Sequence, residues 1–247
     1  MDEARELADY LPLSFKTQKE QEYIEFLWDA FETNYTHGKY QFAFLAYHML
    51  TMSFVYFNIW QIRQAKPKEF EMGLIGFSRD ERPMLEAASP FAFSVVPERN
   101  VLRFLRLIQC DNAKIGTYAK LVDNRNESAH PNGNIFFSTH QALDIKVREI
   151  LRVVEEIQAH SKPVIEHCYR EFLLQNHDAE EREYPDAADQ IREVLVHGSY
   201  MSQKDMAICA GFDLAPLTGA ADFAAMLALH EAVRTAYVEP EDLIAAQ

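Results

Sequence analysis

Apolar residues recur at helical spacing along most of the chain. Over residues 18–36 the positions Tyr23, Ile24, Leu27, Phe31 and Tyr35 share a face, which predicts an amphipathic helix. Gly38 separates it from a second predicted helix at about 39–65, uncharged from Tyr40 to Ile62. That stretch is long enough to span a bilayer. It also holds Gln41, His48, Thr51, Ser53, Asn58 and Gln61, and basic residues flank both ends (Lys39, then Arg63, Lys66 and Lys68), so no orientation bias is visible. A helix apolar all round is buried in either setting, and the embedded polar residues favour a core or dimer-interface helix over a membrane span. The aromatic stripe Phe42, Phe44, Tyr47, Phe54, Tyr56, Phe57 and Trp60 reads as core packing.

Residues 66–96 contain Pro67, Gly73, Gly76, Pro83 and Pro90, and read as a long irregular connection. Its apolar residues Phe70, Leu74, Phe77, Phe91 and Phe93 predict that it packs onto the helices. Helix resumes near Pro97, a residue suited to a first turn. Val101, Leu102, Leu105 and Ile108 then share one face, and Arg99, Arg103 and Arg106 another. A helix at about 111–129 follows and stops at HPNGN, because Pro131 biases His130 away from helical geometry and Gly133 permits a sharp turn. Ser138-Thr139-His140-Gln141 opens the next helix as a capping box. That helix runs to about 176, with a kink expected at Pro163. The acidic stretch 177–186 is the best linker, and two or three short helices follow before a frayed end, EPEDLIAAQ.

This pattern, with only 8 Gly and 10 Pro in 247 residues, predicts an all-α fold. Cys110, Cys168 and Cys209 are odd in number and lack CxxC spacing, so neither a zinc site nor a disulfide framework is indicated. The acidic start MDEARELADY has no basic, apolar leader pattern, and a cytoplasmic location is expected. The formal charge of −14 looks adverse to nucleic acid, but it is unevenly placed. Residues 171–247 hold fifteen Asp/Glu against four Lys/Arg, whereas residues 96–130 hold six basic against four acidic residues.

The basic region contains the segment LVDNRNESAH, in which Arg125, Asn126 and His130 form an R-N-x-x-x-H pattern where one long helix ends and another is about to begin. On an ideal helix, positions five apart are separated by about 140°, so Arg125 and His130 converge only if the helix ends near His130. Pro131 supplies that ending. A bland reading of the same residues pairs Arg125 with Asp123 or Glu127 at an ordinary helix end. Histidine can transfer protons near neutral pH, and arginine presents a permanent planar charge that fits phosphate oxygens.

The segment resembles the signature of the HEPN superfamily, compact helical bundles that often act as ribonucleases in toxin–antitoxin, phage-defence and CRISPR systems. The resemblance covers about residues 18–176 by helix order, with 66–96 an unusual insertion. It implies a HEPN-like antiparallel helical bundle over residues 1–176 and an acidic helical C-terminal appendage over 184–247. It further implies a metal-independent endoribonuclease without cofactors, in a toxin or anti-phage defence setting, with Arg125 and His130 catalytic and Asn126 supporting. The RNA 2′-hydroxyl would be the nucleophile, and a homodimer would bring two motifs together. Arg99, Arg103, Arg106, Lys114 and Lys120 are the expected RNA contacts. The alternative is a catalytically silent scaffold that binds an antitoxin, such as a nucleotidyltransferase, or a defence-complex protein.

Two further patterns carry less. His160, Glu166 and His167 lie on the long helix without an evident third ligand and read as a solvated face. Residues 201–214 resemble the first half of a helix-turn-helix, with Gln203, Ala207 and Gly211 at matching spacing. The following stretch has Pro216 and no basic residue, so DNA binding is not expected and a partner-docking appendage is.

Overall fold

The computed structural model describes residues 1–78 and 88–237. Pro83 and the EPEDLIAAQ terminus lie outside the described residues. Among those described the chain is all-α, with one isolated antiparallel bridge between Pro12 and Ser202. It divides into two compact units. The first comprises Met1–Ala8 and Thr17–Ser161, and the second Asp9–Lys16 and Lys162–Gln247.

In the first unit, helix α1 (Gln18–Thr36) begins with a full capping box, Thr17 accepting from the Glu20 amide and Glu20 from the Thr17 amide. It packs along helix α2 (Tyr40–Ala65). Gly38, at φ +70°, makes the turn between them, a conformation that costs glycine little. Helix α2 is long and apolar enough to cross a membrane, yet 83% of its most apolar stretch is buried. Residues 50–62 are all buried, which places it as the central helix of the unit. Phe42 is the exception in the aromatic stripe, being 60% exposed.

The connection after α2 is more regular than its Pro and Gly content suggests. Pro67–Gly73 is helical, and Leu74–Gly76 and Pro90–Val95 are 3₁₀ turns. Pro67 and Pro90 sit at first helical positions, where their missing N–H costs nothing. As expected, the segment packs onto the bundle: Phe70 and Phe93 are buried, and Phe70 and Phe77 both stack on Phe104.

The helix expected from Pro97 is α-helical only over Glu98–Val101, and continues as 3₁₀ over Leu102–Ile108. Three residues per turn align Leu102, Leu105 and Ile108 into one buried row, a better fit to their spacing than 3.6. The segment ends at Gln109 with φ +66°. Helix α3 (Asn112–Ala129) follows, capped by Asp111, whose carboxylate accepts from the Lys114 amide.

Helix α4 (His140–Asn176) contains Pro163, which has no amide to give the Ala159 carbonyl. The division between the units falls two residues before it. Residues 162–176 therefore belong with the tail, and the boundary expected between 176 and 184 lies inside the second unit. The reason is burial. Ile165, Tyr169, Phe172 and Leu173 form one core with Ile191, Leu195, Met206, Leu229 and Val233. Helices α5 (Gln203–Ala210) and α6 (Phe223–Tyr237) complete that core. Pro216 lies in a 3₁₀ turn between them, and Gln203 donates to the Tyr237 carbonyl. Residues 191–197 form a π-helix, and Leu13 donates its amide to Met201.

Candidate functional site

Helix α3 delivers the R-N-x-x-x-H segment at its C-terminal end. His130 is the C-cap residue at φ −81° and ψ 142°, the extended geometry that the following proline demands. Its ring is exposed, while Arg125 and Asn126, one turn back, are partly buried. The end of the helix is braced. Gln41 of α2 donates to the Ser128 carbonyl at 2.8 Å and accepts the Phe136 amide at 2.9 Å. Asn132 donates to the Glu127 carbonyl and accepts the Asn134 amide, closing a turn through Gly133 at φ +79°. One glutamine thus ties the last turn of α3 to the loop that leaves it.

Arg125 is ion-paired, though not with Asp123 or Glu127. Its Nη2 lies 2.7 Å from Oε1 of Glu98, at the start of the short helix Glu98–Val101. The other oxygen of Glu98 accepts from Nε2 of His48 at 3.1 Å. His48 is fully buried on α2, and its Nδ1 has no hydrogen-bond partner among the described residues. Burial pushes the Glu98 carboxyl upward, but the hydrogen bonds and charges of His48 and Arg125 outweigh it and hold the group below the ordinary carboxylate value. Glu98 therefore stays ionised at neutral pH and fixes the guanidinium. Among the described residues no hydrogen bond or ion pair joins Arg125 to His130.

Arg125 and Glu98 also line a pocket of about 910 Å³ inside the first unit. Glu20, Tyr23, Met49, Met52, Tyr56 and Phe91 contribute to its walls. Glu20 accepts from Ser89 at 2.5 Å, and Tyr23 meets Phe91 edge to face at 5.1 Å between centroids. Burial, the largest cause, pushes the Tyr56 phenol upward; Glu98 and Tyr23 add to this and Arg125 opposes it, so the hydroxyl stays protonated.

The basic residues expected to contact RNA are unevenly available. Arg99 pairs with Asp123, and Arg106 bonds Asn112. Lys114 bonds Nε2 of His160 at 2.7 Å, and Nδ1 of His160 faces the Ile108 carbonyl. Arg103 and Lys120 are exposed. His167 is exposed and Glu166 lies 3.7 Å from Lys162. Among the described residues no group of three His, Cys, Asp or Glu side chains is placed to hold a metal.

Sequence reasoning missed Glu98, His48, Gln41 and Asn132. Only Asn132 carried a local signal, since Pro-Asn-Gly after a helix is a turn with a side-chain cap. The others act across 27 to 95 residues of chain, and no spacing rule links them to the motif. Comparison with family models, with curated proteins and with solved structures finds no match to this chain.

Proposed function

We propose that this chain is a HEPN-like, metal-independent endoribonuclease whose Arg125 and His130 act on RNA. The observation that supports the reading most is His130 itself. It is an exposed histidine at a braced helix end, one turn beyond a guanidinium that opens onto a pocket. RNA carries its own nucleophile. His130 would move the proton of the 2′-hydroxyl or of the leaving 5′-oxygen. Arg125, already held at one nitrogen by Glu98, would offer its other N–H groups to the phosphorane oxygens. Asn126, four residues from His130, would steady the ring. A homodimer would place two such sets together. The cellular setting that goes with the resemblance is a cytoplasmic toxin or anti-phage effector.

The test is the product. Cleavage should persist in excess chelator, leave a 2′,3′-cyclic phosphate with a 5′-hydroxyl, and stop when the cut-site nucleotide is 2′-deoxy. Cleavage that continues on the 2′-deoxy substrate would overturn the mechanism. Light scattering should give a dimer at micromolar concentration, and a stable monomer would remove the paired-site idea.

A specific observation favours a second reading. An arginine bonded to a carboxylate that is itself bonded to a buried histidine is also what a purely structural ion network looks like. On that reading the chain is a silent scaffold for an antitoxin or defence-complex protein, and no RNA is cut under any condition.

A further inference from the structure

The pocket beside Arg125 has a composition that the cleavage chemistry alone does not require. A phosphate needs cations and amides. Beside the cations Arg125 and Lys19, this cavity carries aromatic and thioether walls (Tyr23, Phe91, Met52), the Tyr56 hydroxyl and the carboxylates of Glu98 and Glu20. At about 910 Å³ it falls in the range of cavities that hold small organic ligands. Tyr23 is 39% exposed at the rim, held edge to face against Phe91, with its hydroxyl 4.0 Å from the sulfur of Met49. Its ring is therefore both accessible and fixed.

We infer that this pocket receives a nucleobase of the RNA strand whose phosphate Arg125 holds, and so sets which sequence is cut. The inference rests on the ribonuclease reading. An unpaired base has an apolar face and a hydrogen-bonding edge. Aromatic walls stack on the face, as in proteins that read single-stranded RNA. Glu98 accepts from an exocyclic amine, and the protonated Tyr56 hydroxyl donates to a ring nitrogen or carbonyl. A fatty chain would shut water off from the remaining lone pairs of Glu98 and from the Tyr56 hydroxyl and offer them nothing in return, at a cost. The guanidinium at the wall supplies the third element, a cation for the attached phosphate.

The experiment has two arms, both on the full-length protein. In the first, calorimetry measures binding of the four nucleoside 3′-monophosphates, with ribose phosphate and inorganic phosphate as references. At least one nucleotide should bind tenfold or more tightly than the references, and Tyr23→Ala should weaken it between roughly 5- and 150-fold, the range for losing one stacking partner. In the second, cut sites are mapped on total RNA for wild type, Tyr23→Ala and Met52→Trp, which fills the cavity. Both variants should blur or shift the base preference at the cut. Tyr23 lies at the rim, so its truncation keeps the inference testable if the buried Met52 variant does not fold. Nucleotides binding no better than phosphate would overturn the inference. An unchanged cut map despite Tyr23-dependent nucleotide binding would also overturn it, pointing to a free-nucleotide effector. Tyr23-dependent nucleotide binding with no RNA cleaved would support the pocket as a nucleotide site while the ribonuclease reading fails.

Discussion

The first unit joins a buried imidazole and a partly buried guanidinium through one carboxylate beside an open pocket, whereas the second buries mostly apolar side chains. Its Tyr169–His230 hydrogen bond, 2.8 Å long, is local to a Leu-, Met- and Val-rich core. A packed apolar core stabilises by removing surface from water and needs no charge. A buried ion network gives no such return. It is often neutral or unfavourable compared with an apolar core of the same volume, and breaking it halfway is costly. On the ribonuclease reading proposed above, this network beside a pocket and a histidine-terminated helix positions the Arg125 guanidinium for use, and on the scaffold reading it only braces the fold.

The largest test of this contrast removes the tail. Deleting residues 184–247 would strip Ile191, Leu195, Met206, Leu229 and Val233 from Ile165, Tyr169, Phe172 and Leu173. We expect the truncated chain to aggregate or to lose one cooperative transition in a thermal melt. A monodisperse, cooperatively melting product would show that residues 162–176 do not need the tail. The tail's excess of acid makes it a poor RNA surface, but its removal is a stability experiment first.

Smaller, and confined to the second unit, is Tyr169→Ala. An aromatic side chain buried to this degree should cost about 3–5 kcal/mol when truncated. Tyr169→Phe, which loses only the bond to His230, should cost about 1 kcal/mol. Denaturant melts distinguish the two. Similar costs for both would mean that the hydrogen bond, and not packing, holds this core.

Smaller again is Glu98→Gln in the first unit, which keeps the shape and removes the charge. Losing charged hydrogen bonds of this kind costs about 1.5–3 kcal/mol. The sign with pH follows from the lowered folded-state value of Glu98. Its contribution is complete above its unfolded value of about 4.5 and is lost as pH falls through the folded value. Wild type should therefore lose stability on acidification below about pH 4.5 more steeply than Glu98→Gln. Parallel acid profiles would mean that Glu98 contributes nothing to folding through its charge.

Much of this architecture was legible in the order of residues. The α1–Gly38–α2 hairpin followed from one amphipathic and one uncharged stretch, and the end of α3 from Pro131. The spacing of Leu102, Leu105 and Ile108 predicts a helical face but not its kind, because over so short a run it satisfies both the α and the 3₁₀ period. The boundary inside α4 was hidden because a continuous helical pattern says nothing about which partner covers each half. Sequence proximity offers Asp123 and Glu127 as partners for Arg125 only on the bland reading of the segment, and neither is its partner. Residues two apart on a helix face different directions, and the true partner came from another element. Local periodicity shows elements, while networks such as His48–Glu98–Arg125 depend on tertiary contacts that no local pattern encodes.

Whether the Arg125–His130 segment cuts RNA is decided by cleavage of total cellular RNA by three proteins of matched circular dichroism: wild type, His130→Ala and Arg125→Lys. Wild type should cleave. His130→Ala should fall by at least ~10²-fold, as for a deleted general acid or base. Arg125→Lys should fail comparably, because an ammonium cannot reproduce the guanidinium fork. Equal cleavage by all three, or none by wild type freed of bound partners, would contradict the claim and leave the scaffold reading standing.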